Sequence, residues 1–292
     1  MKHVDNNFVI NKMRSYSSVF SSTYFSKLIQ NDDYSFINSN IKKYDLAQVG
    51  IKFNTYHDYI SYIYKELKSK YRNEYIYKNT FINELLLDKY GVKNTVAINE
   101  FRVGNSIADI VMFNGTSKAF EIKTELDSNK RLSNQLLDYK KIFKHNYIIT
   151  HEALADKYLK YDESVGIIIL IERNKSLKMK EIRASVENSE ICPNTIIRSI
   201  RTSEYKDIIK NYYGKLPEMN SFNMFSKCEE LIAEIPSDEL NRLFINQLKL
   251  RKSNTLKIAT FQKELRQMGL AMNINEKVHA QLLVKLNKSI QI

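Results

Sequence analysis

The chain has 292 residues, with 45 Lys+Arg against 33 Asp+Glu, a formal net charge of +12 and only two cysteines. This length supplies a sizeable core in one large or two modest domains, and the positive excess suits a polyanionic partner, nucleic acid being the commonest, though charge alone fits an ordinary basic protein equally well. Zinc-ribbon or redox chemistry is excluded by the wide separation of Cys192 and Cys228, and a membrane span by the longest aliphatic run, Gly166 to Ile171, which is far too short. With no apolar stretch suited to a signal peptide near its start, the sequence predicts a soluble, cytoplasmic protein with reduced thiols.

Residues 1–77 form a helical N-terminal region. Apolar residues recur at helical intervals from Phe8 to Leu28, and a second amphipathic stretch runs from about Tyr56 to Tyr71. Its many tyrosines are placed either to stack on bases or to pack one helix on another. From Asn79 the pattern changes. Asn79-Thr80 reads as an N-cap and Gly91 as a C-cap for a helix carrying Phe81, Ile82, Leu85, Leu86 and Leu87, with Glu84 projecting between Phe81 and Leu87.

Thr95 to Val103 reads as the first strand, and Gly104-Asn105 turns the chain into a second, Ile107 to Phe113. Asn114-Gly115, a strong hairpin signal, leads to a third, Ala119 to Lys123. Both apolar runs contain charges: Asp109 in the second strand, Glu121 and Lys123 in the third. Alternation places Asp109 on the face of Ile107, Val111 and Phe113, and puts Glu121 and Lys123 together on one face of the next strand. Ionised side chains in buried strands need a partner or a metal, since burial alone costs several kcal/mol, on the order of the penalty for an unpaired ion. Pairing across the Asn-Gly turn brings Asp109 beside Glu121 and Lys123: a candidate metal site with a basic group next to it, or else a buried salt bridge.

A polar loop from Thr124 to Arg131 precedes a helix with Leu132, Leu136, Ile142 and Phe143 on one face, and Gln135 and Tyr139 share that face. A glutamine in an apolar stripe needs hydrogen-bond partners where it docks. A strand Asn146–Thr150, a short helix 151–159 and a strand Val165–Ile171 complete the predicted α/β core, residues 78–184. Beyond it, residues 185–292 form a helical C-terminal region that holds all three prolines, with a helix starting at Pro236-Ser237-Asp238 and a basic cluster at Lys249, Arg251, Lys252 and Lys257. The five histidines, His3, His57, His145, His151 and His279, show no metal-ligand spacing.

The ordered set Asp109, Glu121-Ile122-Lys123 and Gln135-Leu-Leu-Asp-Tyr139 resembles the D…(D/E)-x-K signature and the RecB-like Q-x-x-x-Y element of the PD-(D/E)xK nuclease superfamily, over roughly Lys78 to Ile171. Ala108 stands where the superfamily's name places proline. The resemblance implies a restriction-endonuclease-like αβββαβ core with a mixed sheet, flanked by helical regions, in a bacterial nuclease acting on nucleic acid, DNA more than RNA. It implies Mg²⁺, with Mn²⁺ as substitute, held by Asp109 and Glu121, the Ile122 carbonyl and a helix carboxylate, for which Glu84 is the positional match. Lys123 would assist the attacking water; Gln135 and Tyr139 would orient it or contact the nucleic acid. Lys130 and Arg131 are candidates for phosphate contacts. The alternative is a non-catalytic nucleic-acid-binding or regulatory protein that keeps the fold. A homo-oligomer or protein partner through the helical flanks is a further expectation.

Overall fold

The computed structural model describes residues 6–292, so His3 lies outside the described residues. The described residues divide into two compact units, one of residues 6–83 and 257–292, the other of residues 84–256. This division cuts the chain differently from a three-part reading in sequence order, because the last 36 residues return to the N-terminal helices instead of forming a region with residues 185–256.

The first unit is helical: α1 (Asn6–Val19), α2 (Ser22–Asn31), α3 (Ser35–Asn40), α4 (Tyr56–Lys70) and α5 (Glu74–Phe81). The start of α4 is fixed by a capping box, in which the Thr55 side chain accepts from the Asp58 N–H and the Asp58 carboxylate accepts from the Thr55 N–H. The tyrosines pack inward here. Tyr16 and Tyr59 are completely buried, and both donate to Oδ2 of the buried Asp45, whose Oδ1 accepts from Lys12. Helix α5 begins six residues before the expected cap at Asn79: Asn73 is its N-cap, accepting from the Ile76 N–H. Asn79 and Thr80 lie buried inside the helix, where Asn79 Nδ2 donates to Tyr64 Oη and to the Lys263 carbonyl. The helical chain continues with π winding through Ile82–Tyr90 and ends at Gly91, whose φ of +73° is the left-handed conformation expected of a C-terminal glycine.

The second unit is built on a six-stranded mixed sheet, in the order β1 (Val96–Val103), β2 (Ser106–Phe113), β3 (Ser117–Lys123), β4 (His145–His151), β5 (Gly166–Arg173) and β6 (Ser176–Arg183). Helix α6 (Leu132–Lys140) connects β3 to the parallel β4, and α7 (Ala155–Leu159) connects β4 to the parallel β5; the other neighbours are antiparallel. The fold is therefore α/β with the expected helix, three strands, helix, strand order. One strand was not foreseen. β6 alternates Leu177 and Met179 with Lys178, Lys180, Glu181 and Arg183, a charge-rich pattern that suits a sheet edge and hides the apolar period.

The two sheet faces are covered differently. On one, Val111, Phe113, Ala119, Ile148 and Ile167 join a core with Leu132, Leu136 and Phe143, and with helices α8 (Pro193–Ser199), α9 (Thr202–Tyr213), α10 (Met224–Ala233) and α11 (Ser237–Lys249). The Phe113 and Phe244 rings meet edge to face at 5.5 Å. On the other, Phe120 stacks on Tyr147 at 5.3 Å and lies 6.4 Å from Tyr90. The basic cluster expected near residue 250 does not form one exposed face, since Arg251 turns inward onto Glu204 with bonds of 2.6 and 2.7 Å. The chain closes with α12 (Arg266–Ala271) and α13 (Glu276–Leu286), both in the first unit. Among the described residues no helix is long and apolar enough to cross a membrane.

Candidate active site

The site grows from the β2–β3 hairpin. β2 and β3 pair in a register that sets Ile110 against Phe120 and Val111 against Ala119, so continuing the ladder brings Asp109 opposite Glu121. At that point the ladder opens. β1 and β2 pair on both sides of Asp109, Asn99 with Ile110 and Phe101 with Ala108, while Glu100 on the facing strand takes a left-handed φ of +55°. The regular alternation breaks there: Ile107 is 44% exposed and Ala108 is fully buried in the core under α6. The strict alternation that would put Ile107, Asp109, Val111 and Phe113 on one face is not kept, since Ala108 and not Ile107 joins Val111 and Phe113 in the core. Asp109 Oδ2 accepts the Ile122 N–H at 2.8 Å, standing in for a strand carbonyl and holding a carboxylate against the Glu121–Ile122 peptide.

Glu121 and Lys123 follow the expected alternation and are 2% and 8% exposed. Lys123 Nζ donates to Glu121 Oε1 at 2.8 Å and to Gln135 Oε1 at 3.1 Å. Helix α6 supplies the rest. Tyr139 Oη lies 2.7 Å from both Glu121 Oε2 and the Ile107 carbonyl oxygen, so its single hydrogen is shared between two acceptors. Gln135 Nε2 donates to the same phenol oxygen at 3.5 Å. Burial first, then the charges of Glu121 and Asp109, push the Tyr139 phenol far above its ordinary range, so it acts here only as a neutral donor. Two carboxylates, one ammonium, one amide and one phenol thus form a connected polar network at the joint of β2, β3 and α6.

Three residues outside the sequence motif hold this network in place. Thr150 of β4 donates from Oγ1 to the Lys123 carbonyl at 2.8 Å. Asp127 accepts from both the N–H and the hydroxyl of Thr124, fixing the loop that leaves β3. Asp138 accepts from Ser106 Oγ, tying α6 to the start of β2. Thr124-x-x-Asp127 was the one readable signal, as a polar side-chain turn; the other two contacts depend on tertiary structure alone.

The remaining expected residues lie elsewhere. Glu84 is paired with Lys178 of β6 at 2.9 Å. β6 is three strands from β3, about 14 Å at the usual inter-strand spacing. Glu84 was expected at the metal site as the carboxylate of the helix before the sheet, but its side chain ends at the β6 edge, while Tyr90 of the same helical stretch lies over Phe120 of β3. Lys130 and Arg131 are exposed in the turn before α6. Among the described residues no group of three or more His, Cys, Asp or Glu side chains converges on one point. A cation at this site would therefore have Asp109, Glu121 and backbone oxygen, with water completing its shell, a donor set suited to Mg²⁺ and not to zinc.

A solved structure of a protein of unknown function from Silicibacter pomeroyi is similar over 49% of this chain and 93% of its own, at 10% identity and a TM-score of 0.32. Protein cII of Enterobacteria phage P4 is 31% identical over 132 residues, which are 44% of this chain and 50% of that protein, so the chain spans about half the length of this curated relative. The family model described as bacteriophage P4 protein cII matches residues 67–273, a stretch that contains every strand of the sheet and every member of the polar network. The chain belongs to the bacteriophage P4 protein cII family.

Proposed function

We propose that this protein is a metal-dependent phosphodiesterase acting on nucleic acid, DNA more than RNA, with its chemistry at Asp109, Glu121 and Lys123. The observation that carries the reading is the buried Lys123 ammonium 2.8 Å from Glu121, beside a second carboxylate held to the backbone between them. A buried ion pair alone is a poor stabiliser, and an apolar pair of similar volume would serve the fold as well. The D…E-x-K and Q-x-x-x-Y spacing, which resembles the PD-(D/E)xK nucleases, supports the same reading.

The two carboxylates would hold Mg²⁺ or Mn²⁺; such an ion supplies charge neutralisation at the phosphate and a more acidic bound water. Lys123 has one N–H left after its bonds to Glu121 and Gln135. That proton is available to orient an attacking water or to meet negative charge developing on a phosphate oxygen. Gln135 keeps the ammonium aimed, and Tyr139, held neutral, steadies Glu121 without competing as a base. Lys130 and Arg131, exposed ahead of α6, are positioned to meet phosphates as they approach.

The second reading is a nucleic-acid-binding or regulatory protein without turnover. It is favoured by the closed network itself, in which both Glu121 oxygens already have donors. The two readings separate on labelled DNA and RNA incubated with Mg²⁺, Mn²⁺ or chelator. Divalent-dependent cleavage that disappears in Lys123→Met is the expected result. Binding with no cleavage of any substrate supports the second reading, and cleavage that survives in Lys123→Met overturns the assignment of the site.

A further inference from the structure

The hairpin between β5 and β6 carries exposed basic residues that the proposed site does not use. Arg173 ends β5, Lys175 sits at the tip, and Lys180 lies along β6. Arg173 and Lys180, with Ile171, Asn174, Ser176 and Lys178, border a concavity of about 680 Å³. The strand register says which way these residues face. Lys123 pairs with Thr150, Thr150 with Ile169, and Ile169 with Lys180, so Lys123 and Lys180 lie in one row across the sheet, on one face. Ile171 with Lys178 and Arg173 with Ser176 continue that face toward the hairpin tip.

The neighbouring acids leave this charge uncompensated. Glu84 is occupied by Lys178, and Glu181 by Lys89 at 2.6 Å. Glu172 pairs across the ladder with Leu177 and so belongs to the opposite face. Arg173, Lys175 and Lys180 remain as an exposed cationic edge. The turn is a second, independent sign. Asn174 and Lys175 both adopt left-handed backbone, with φ of +49° and +60°. A two-residue hairpin of this kind strongly favours glycine at its second position. Lysine there accepts backbone strain in an exposed turn.

We propose that this edge is a binding surface for the sugar-phosphate backbone of a nucleic acid. The inference rests on the nucleic-acid substrate of the proposed function and adds a contact outside the buried network of Glu121 and Lys123.

The test is binding of fluorescently labelled single- and double-stranded DNA and RNA of one sequence, with chelator present to prevent cleavage, over a series of salt concentrations. Replacing Arg173, Lys175 and Lys180 with glutamine should weaken binding at least about tenfold and lower the salt slope by about two to three, one unit or slightly less per lost phosphate contact. The charge-preserving set Arg173→Lys, Lys175→Arg, Lys180→Arg should keep the wild-type slope. Lys175→Gly should melt at a higher temperature while losing its own share of the slope, which separates lost contacts from lost folding. Unchanged affinity and slope in the triple glutamine variant overturn the proposal. So does a wild-type protein that binds anionic phosphatidylglycerol vesicles and no nucleic acid. Cleavage of the same oligonucleotides in Mg²⁺ distinguishes the two claims. Cleavage together with unchanged binding in the variant sinks the edge and leaves the nuclease. Lost binding in a protein that never cleaves keeps the edge and sinks the nuclease.

Discussion

Lys123→Met removes an ammonium that lies 2.8 Å from Glu121 Oε1 and keeps an unbranched side chain of similar reach. Glu121, 2% exposed, is left with Tyr139 as its donor. Removing one partner of a buried pair typically costs about 3–5 kcal/mol, because the remaining charge stays desolvated. Because Lys123 is 8% exposed and some water can reach the gap, about 3 kcal/mol is the appropriate figure here. Glu121→Gln should cost a similar amount, about 2–3 kcal/mol, since Lys123 keeps only the neutral oxygens of Gln135 and the new amide. The double variant Glu121→Gln/Lys123→Met removes both charges of the pair and should lie within about 1 kcal/mol of wild type, a coupling of roughly 4 kcal/mol. Urea denaturation followed by circular dichroism measures all four proteins, with equal slopes as the check that one transition is compared. Strict additivity, a coupling below about 0.5 kcal/mol, would refute the claim that these two charges depend on each other. The double variant also separates stability from chemistry: it should fold like wild type and cleave nothing.

Other parts of the structure make equally definite claims. A Cβ built on Gly166 would lie 2.3 Å from the Tyr147 ring and 2.8 Å from the Ser185 backbone nitrogen. Gly166→Ala should therefore destabilise by at least about 1–3 kcal/mol, seen as a lower urea midpoint with an unchanged slope. Glu204 is opposed by its own burial, but the Arg251 guanidinium and the Arg201 N–H overcome this and hold its carboxyl below the usual range. Its folded pKa is depressed, so its contribution is complete above the unfolded value and is lost as pH falls through the folded one. Arg251→Ala should accordingly flatten the acid side of the stability curve measured by thermal melts from pH 7 down to pH 3. In the helical unit, Asp45→Asn leaves Lys12 without its anion and should cost about 2–3 kcal/mol, less than a fully buried pair because Lys12 reaches solvent.

The sequence was most readable where local rules act alone. Asn114-Gly115 marked the hairpin, Gly91 the helix end, and the charges inside two apolar runs marked the site, because each is expressed within a few neighbouring residues. Gln135 and Tyr139 were legible for the same reason, four residues apart on one helical face and both turned to Lys123 or Glu121. What escaped depends on contacts distant in sequence. Glu84 sits on a plausible helical face, yet its carboxylate is taken by Lys178 of β6, a strand whose own pattern was masked by its charges. The break in alternation at Ile107 and Ala108 escaped as well, since Glu100 on the facing strand, in its left-handed conformation, is no glycine or asparagine that would announce it. The return of residues 257–292 to the N-terminal helices is likewise a tertiary event, with Tyr75 Oη donating to the Glu264 carbonyl and Tyr34 Oη to that of Lys285.

The claim at the centre of this account is that Asp109 and Glu121 together hold a hard divalent ion. Titration of Mn²⁺ followed by electron paramagnetic resonance measures this without any substrate. Wild type should bind Mn²⁺ in competition with Mg²⁺, and Asp109→Asn and Glu121→Gln should each weaken that binding at least about tenfold, the usual cost of losing one carboxylate ligand from a site with so few. Equal Mn²⁺ affinity in all three proteins, or none in any of them, would contradict it.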